Sequence, residues 1–287
     1  MTAARAISSG VAATWRAKWM VFLFLGCHLL LAAAVAAPMH SAIAGHVGRS
    51  AVGEELARSF SAAWLTEFQI AYETFLKSFS IAIVYTGILF LALNTVLSAG
   101  AYEVFAGGEG ARLHAFGRGM GKYFARFARL AMIASALYFV AFWLWNDLAV
   151  RQLQHWFEDS TREAWHFRLN LVRVALLFVS VIAVNLLVEY ARADIVVRQR
   201  QSTLAALGQA AGFLLRRLPS VLTICFVLGL LTALTIAAYA VFARYFPQDQ
   251  PAAILLWFLV AQILFWLRWL FRLSSWSAVL EYYRAHS

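Results

Sequence analysis

Six stretches of apolar residues, each long enough to cross a bilayer once coiled as a helix, constrain this chain more than any other feature. They occupy residues 19–37, 79–100, 130–148, 171–190, 221–242 and 252–270, and crossing the hydrocarbon takes about 20 residues. With no water inside the bilayer to satisfy free backbone groups, runs of this length cross as helices. One buried core cannot absorb them: residues AVILMFWYC make up 63% of the chain and charged residues 13%, against about 45–50% and about 25% in globular proteins. The expected fold is all-α, a polytopic membrane protein with a single membrane domain over residues 1–287. A soluble enzyme, a disordered chain and a secreted disulfide scaffold are excluded.

Charge sets the direction of the spans. Lys and Arg number 24 against 14 acids, a net charge of +10, and the N-terminus, second and fourth loops and tail hold 15 of them against 7 in the opposite loops. The positive-inside rule places both termini in the cytoplasm. Anionic lipid head groups are the natural partner for this charge, and nucleic acid is not. In the fourth stretch only residues 174–188 are free of charge, so Arg173 has to reach outward along its stem. The first stretch follows Arg16 and Lys18 and ends Ala34-Val35-Ala36; cleavage as a signal peptide is the alternative to a first span, and leaves five spans in unchanged orientation. Cys27 and Cys225 each lie within an apolar stretch, as packing residues rather than zinc ligands or a redox pair.

Shifting the chain by 91 residues aligns the segment from span two to span three with that from span four to span five: Asn94 on Asn185, Gly117 on Gly208, Gly121 on Gly212, Arg126 on Arg217. Apolar residues also coincide, with Leu113, Phe116, Met120, Phe124 and Phe127 matching Leu204, Leu207, Ala211, Leu215 and Leu218. Spacings of three and four predict two amphipathic helices, over 109–129 and 202–218, lying as elbows at the inner surface. Arg118, Lys122, Arg126, Arg216 and Arg217 would face head groups, Ser202 or Thr203 would cap the second elbow, and the four glycines would let the elbows pack closely on neighbouring spans. Both copies begin and end outside, so they are parallel rather than inverted repeats.

A shorter echo relates residues 185–193 to 277–285, Glu189-Tyr190-Ala191-Arg192 matching Glu281-Tyr282-Tyr283-Arg284. It extends the last helix toward Tyr283 and draws Arg268 and Arg272 deeper than hydropathy suggests. An arginine at the bilayer centre costs about 2.5–3.5 kcal/mol, so the pair should face the bundle or water.

Six spans, inside termini, glycine-bearing basic elbows and the Glu189-Tyr190-Ala191-Arg192 segment resemble the membrane domain found on some bacterial glycerophosphoryl diester phosphodiesterases and its stand-alone relatives. The resemblance covers most of the chain and implies an all-helical bundle in a bacterial plasma membrane; an organelle inner membrane is the alternative. These residues hold no phosphodiesterase domain, so it implies no catalysis.

Candidate sites are few. Asn94 and Asn185 fit either interhelical hydrogen bonds or a polar site. Arg268 and Arg272, one turn apart, fit either the inner interface or an anionic lipid phosphate. In an outer loop, His155, Asp159, Glu163 and His166 share a helical face as a divalent metal would require, but Arg162 and Arg168 oppose a cation; no metal site is expected. Residues 53–77 read as an amphipathic helix whose Leu56, Phe60, Trp64 and Phe68 form a packing face. No zinc, phosphate-loop, dinucleotide or nucleophile motif is present, and no cofactor is expected. The resulting expectation is a non-enzymatic scaffold or accessory subunit organising lipid or partner helices, a second copy of the chain included. The alternative is a transporter or channel for a small anion or lipid through the bundle, and a lipid-modifying enzyme comes third.

Overall fold

The computed structural model describes residues 1–48, 61–107, 113–152, 163–245 and 251–287. Its elements are α1 (Ala3–Arg16), α2 (Lys18–Val47), α3 (Ala62–Ala71), α4 (Glu73–Gly107), α5 (Leu113–Trp143) with a π turn at Leu144–Leu148, α6 (Glu163–Val197), α7 (Thr203–Tyr245) and α8 (Pro251–Arg284). The fold is all-α, with no strand among the described residues. Six helices, α2, α4, α5 with its extension, α6, α7 and α8, are long and apolar enough to span a membrane.

The chain divides into two compact units, one of Met1–Val21 with Thr95–Ser287, the other Phe22–Asn94. In the first, the helices outrun a bilayer: the 34 residues of α8 extend about 51 Å at the helical rise, against about 30 Å of hydrocarbon. One end of each of α4, α5, α6, α7 and α8 gathers with α1 into a densely packed base. At its centre, residues 188–196 of α6 and 276–280 of α8 are buried on every face, as core helices are. Tyr102, Tyr123, Phe127, Tyr190 and Trp276 are almost fully buried there.

Helix α1 was not foreseen. Its small stripe Ala6, Gly10 and Thr14 is buried, and a Cβ at Gly10 would stand 2.7 Å from the Ser274 carbonyl oxygen and 2.9 Å from the Ala278 Cβ. Only a residue without a side chain admits this approach of α1 to α8. Two further close approaches join α4 to α5, where Gly100 faces the Phe116 ring and Gly119 faces Ala99 and Glu103. The elbow glycines do none of this: at Gly117, Gly121, Gly208 and Gly212 an added Cβ would meet nothing within 4 Å. The glycines that matter for packing are thus those on buried helix faces rather than those matched by the repeat.

The elbows also differ from one another. The first, expected at 109–129 with residues 109–112 outside the described residues, runs without a break into its span. The second is set off by a kink at Arg217, φ −124° and ψ 22°, two residues before Pro219, whose ring cannot donate and crowds the preceding turn. Ser202 Oγ accepts from Ala205 N at 3.3 Å and caps it. Each elbow buries a face in the base, Phe116, Gly119, Tyr123 and Phe127 on α5 and Thr203, Ala206 and Ala210 on α7. Leu113, Phe124, Leu204 and Leu215 stay exposed.

Away from the base, packing thins. Between 11% and 28% of each helix's most apolar window is buried, and Leu171, Phe178, Phe226 and Phe258 are among the exposed side chains. At the far end of α5 and α6, Arg173 Nη1 donates to Asn146 Oδ1 at 2.7 Å and Nη2 to Asn170 Oδ1 at 2.8 Å. The π turn carries Asn146 and also Trp145, whose Nε1 donates to Ser180 Oγ at 2.9 Å. Arg173 is therefore held by amides rather than only reaching outward.

In the second unit, His46 at the end of α2 lies edge-on to Trp64, Phe68 and Tyr72 at 5.5–5.8 Å, and Trp64 and Phe68 stack at 5.3 Å. The amphipathic helix expected over 53–77 is two helices meeting at Tyr72; Leu56 and Phe60 lie outside the described residues.

Candidate functional site

The base is built from polar groups that the apolar length of its helices conceals. Glu189 and Asp194 are 3% and 0% exposed, with Arg192 at 7% between them. A carboxylate so removed from water persists only with partners. Glu189 meets Arg272 Nη1 across from α8 at 2.7 Å, and Arg272 Nη2 also donates to Asn185 Oδ1 at 3.3 Å. Tyr102 Oη donates to the Glu189 carbonyl oxygen at 3.4 Å. The Arg272 guanidinium lies 5.6 Å over the Trp276 ring and that of Arg192 5.5 Å over Phe127, aromatic faces that favour cations.

Asp194 anchors a second cluster. It accepts from Tyr283 Oη at 2.7 Å and forms ion pairs with Arg200, Nε at 2.8 Å, and Arg198, Nε at 3.3 Å. The chain leaves α6 through Gln199, whose φ of 54° is left-handed, a conformation that usually selects glycine. Its amide offsets the strain by donating to Val196 O at 2.8 Å and Tyr123 Oη at 2.7 Å. On the first elbow, Arg118 and Lys122 share Glu103 at 3.3 and 3.8 Å, and the Arg126 guanidinium sits 5.8 Å over Tyr123.

Of the residues singled out from the sequence, Asn185 and Arg272 come together. Arg268 stands apart, its guanidinium 5.9 Å over Phe265, on the wall of a cavity of about 220 Å³ with Thr235, Tyr239 and Ala261. It has no ion pair among the described residues. Asn94 closes the second unit, its Oδ1 buried without a hydrogen-bond partner among the described residues. Arg216 and Arg217 line a polar cavity of about 420 Å³ with Arg198, Gln209, Tyr283 and His286. Sequence reasoning passed over Glu189, Arg192 and Asp194 as site residues; the signal was three ionisable residues within six positions closing an apolar run.

No family model, curated protein or solved structure matches the chain. Its chemistry is thus read from the geometry alone. Among the described residues no three of His, Cys, Asp and Glu gather as a metal would need; His155 and Asp159 lie outside the described residues, as do the side chains of Glu163 and His166. The buried carboxylates face guanidinium and phenol donors, an arrangement that fixes helices in place.

Proposed function

We propose that the chain is a non-enzymatic integral membrane scaffold or accessory subunit, in which a rigid base holds apolar spans out toward lipid or partner helices. The observation that carries this reading is the low burial of the spans, at most 28% of any apolar window, beside a base closed by buried ion pairs. Spans that pack so little on each other leave their surfaces for lipid, a second copy or another subunit. The Lys and Arg asymmetry supports a base on the cytoplasmic side of a bacterial plasma membrane, and the resemblance to the phosphodiesterase-associated membrane domain belongs to the same proposal. Parallel duplication is supported by Glu103 and Asp194, which are 91 residues apart and each take two cations. The packing of α1 supports retention of the first span over its removal with a signal peptide. Gentle extraction followed by native mass spectrometry tests the proposal: a stoichiometric protein partner or ordered lipid shell is expected, and a bare monomer overturns it.

A second reading, a carrier for a small anion or lipid, is favoured by Arg268. It lies 16 residues before Arg284, about 24 Å along α8, in an apolar cavity without an ion-pair partner among the described residues. Liposome flux lost in Arg268→Leu with folding retained favours it; absence of flux across a substrate panel counts against it.

A further inference from the structure

We infer that the polar cavity beside the second elbow binds a phosphate group. Charge balance makes the argument. Arg198, Arg216 and Arg217 line this cavity, and Asp194 is the acid that pairs with Arg198 and with the neighbouring Arg200. It lies buried behind them, also held by Tyr283. Arg216 and Arg217 have no ion-pair partner among the described residues. Two guanidiniums without an ion pair, Arg216 and Arg217, and a third, Arg198, paired with Asp194 thus line a space of about 420 Å³, within the range of about 300–1,000 Å³ typical of small-ligand sites.

The donors suit a tetrahedral oxyanion. Guanidinium forks bind phosphate through paired N–H groups, and the Gln209 amide adds a neutral donor on the same wall. Gly208 and Gly212 also line the cavity, and an added Cβ at either would meet nothing within 4 Å. The matched glycines of the repeat thus leave room for a ligand to approach backbone, where close helix packing had been the expectation. The kink at Arg217 places this cavity at the junction of elbow and span. A phosphate there comes either from a lipid head group or from a soluble phosphoester.

The inference deepens the lipid-organising part of the proposed function, and the test separates the two. Full-length protein is placed in nanodiscs of phosphatidylcholine alone, or with phosphatidic acid, and bound lipid is counted by native mass spectrometry. In parallel, the protein in phosphatidylcholine nanodiscs is titrated with inorganic phosphate and pyrophosphate. Saturable binding in either arm is expected, the responding arm naming the source; phosphate bound in the soluble arm alone leaves the inference standing while counting against lipid organisation. The exposed pair Arg216→Gln/Arg217→Gln is expected to weaken binding about tenfold or more. Gly212→Leu, which projects a side chain into the cavity without altering charge, is expected to weaken it about tenfold or more, whereas general attraction to a basic surface would survive. Melting of both variants at the wild-type temperature establishes that folding is intact. No saturable binding in either arm, or wild-type binding in Gly212→Leu, overturns the inference.

Discussion

The base and the spans of the first unit are built from the same helices, yet they solve opposite problems. Within the base, α6 and α8 lose their solvent face altogether, and the acids of α6 are paired, Glu189 with Arg272 across on α8 and Asp194 with Arg198 and Arg200 just beyond its own helix end. Along the spans the same helices expose Phe178, Ile182, Phe258 and Ile263 and are held at their far ends by local contacts, such as Arg173 on Asn146 and Tyr239 on Trp257 at 5.5 Å. The difference teaches where specificity resides. Apolar side chains gain little from choosing a neighbouring helix over lipid, so packing along the spans selects weakly; the ion pairs and small-residue contacts of the base select strongly.

Two arginines a single turn apart give the sharpest way to break this contrast. Arg272→Leu strands the Glu189 carboxylate in the base and is expected to cost about 3–4 kcal/mol, read as a lowered melting temperature in detergent, with partial recovery on adding Glu189→Gln. Arg268→Leu, which strands no partner, should move stability by no more than about 0.5 kcal/mol. Equal losses for the two would show that the base has no special standing. Next in size is Gly10→Leu, whose side chain would collide with the α8 backbone at Ser274; an overpacked contact costs about 1–3 kcal/mol, and protease sensitivity within residues 3–16 should rise with it. Tyr283→Phe removes one hydrogen bond to the buried Asp194 carboxylate and should cost about 1.5 kcal/mol by the same melting assay. Smallest of all, Phe178→Ala on the exposed span should change the melting point within about 0.5 kcal/mol of wild type, yet lower recovery of any stoichiometric partner by native mass spectrometry.

The six spans could be read from the sequence because each exceeds the length that any globular core accommodates, and hydropathy needs no knowledge of neighbours. The base could not, since a helix buried on all sides shows no period: in residues 188–196 three ionisable side chains close the apolar run and read as its exposed end, although all nine residues are buried. Helix α1 left a trace in Ala6, Gly10 and Thr14 at intervals of four, but the partner that gives the stripe meaning lies in α8. Asn185 and Arg272 were legible as polar residues within apolar runs, although their pairing, with Glu189 beside them, depends on how α6 and α8 cross. The elbows showed their amphipathic period, yet only the second carries the proline that separates it from its span. Glycine spacing misled for a related reason, as a repeat records which positions match and not which of them face a neighbour.

The contact between Gly10 and Ser274 has a consequence for biosynthesis. The ribosome makes these residues 264 positions apart, a delay of roughly 13–50 s at common elongation rates. Throughout that interval all but the last of the membrane helices enter the bilayer while the small-residue face of α1 waits uncovered. Synthesis of residues 274–278 supplies its cover, so the docking of α1 closes last although its residues are made first. A chain halted before residue 274 leaves that face without its α8 partner.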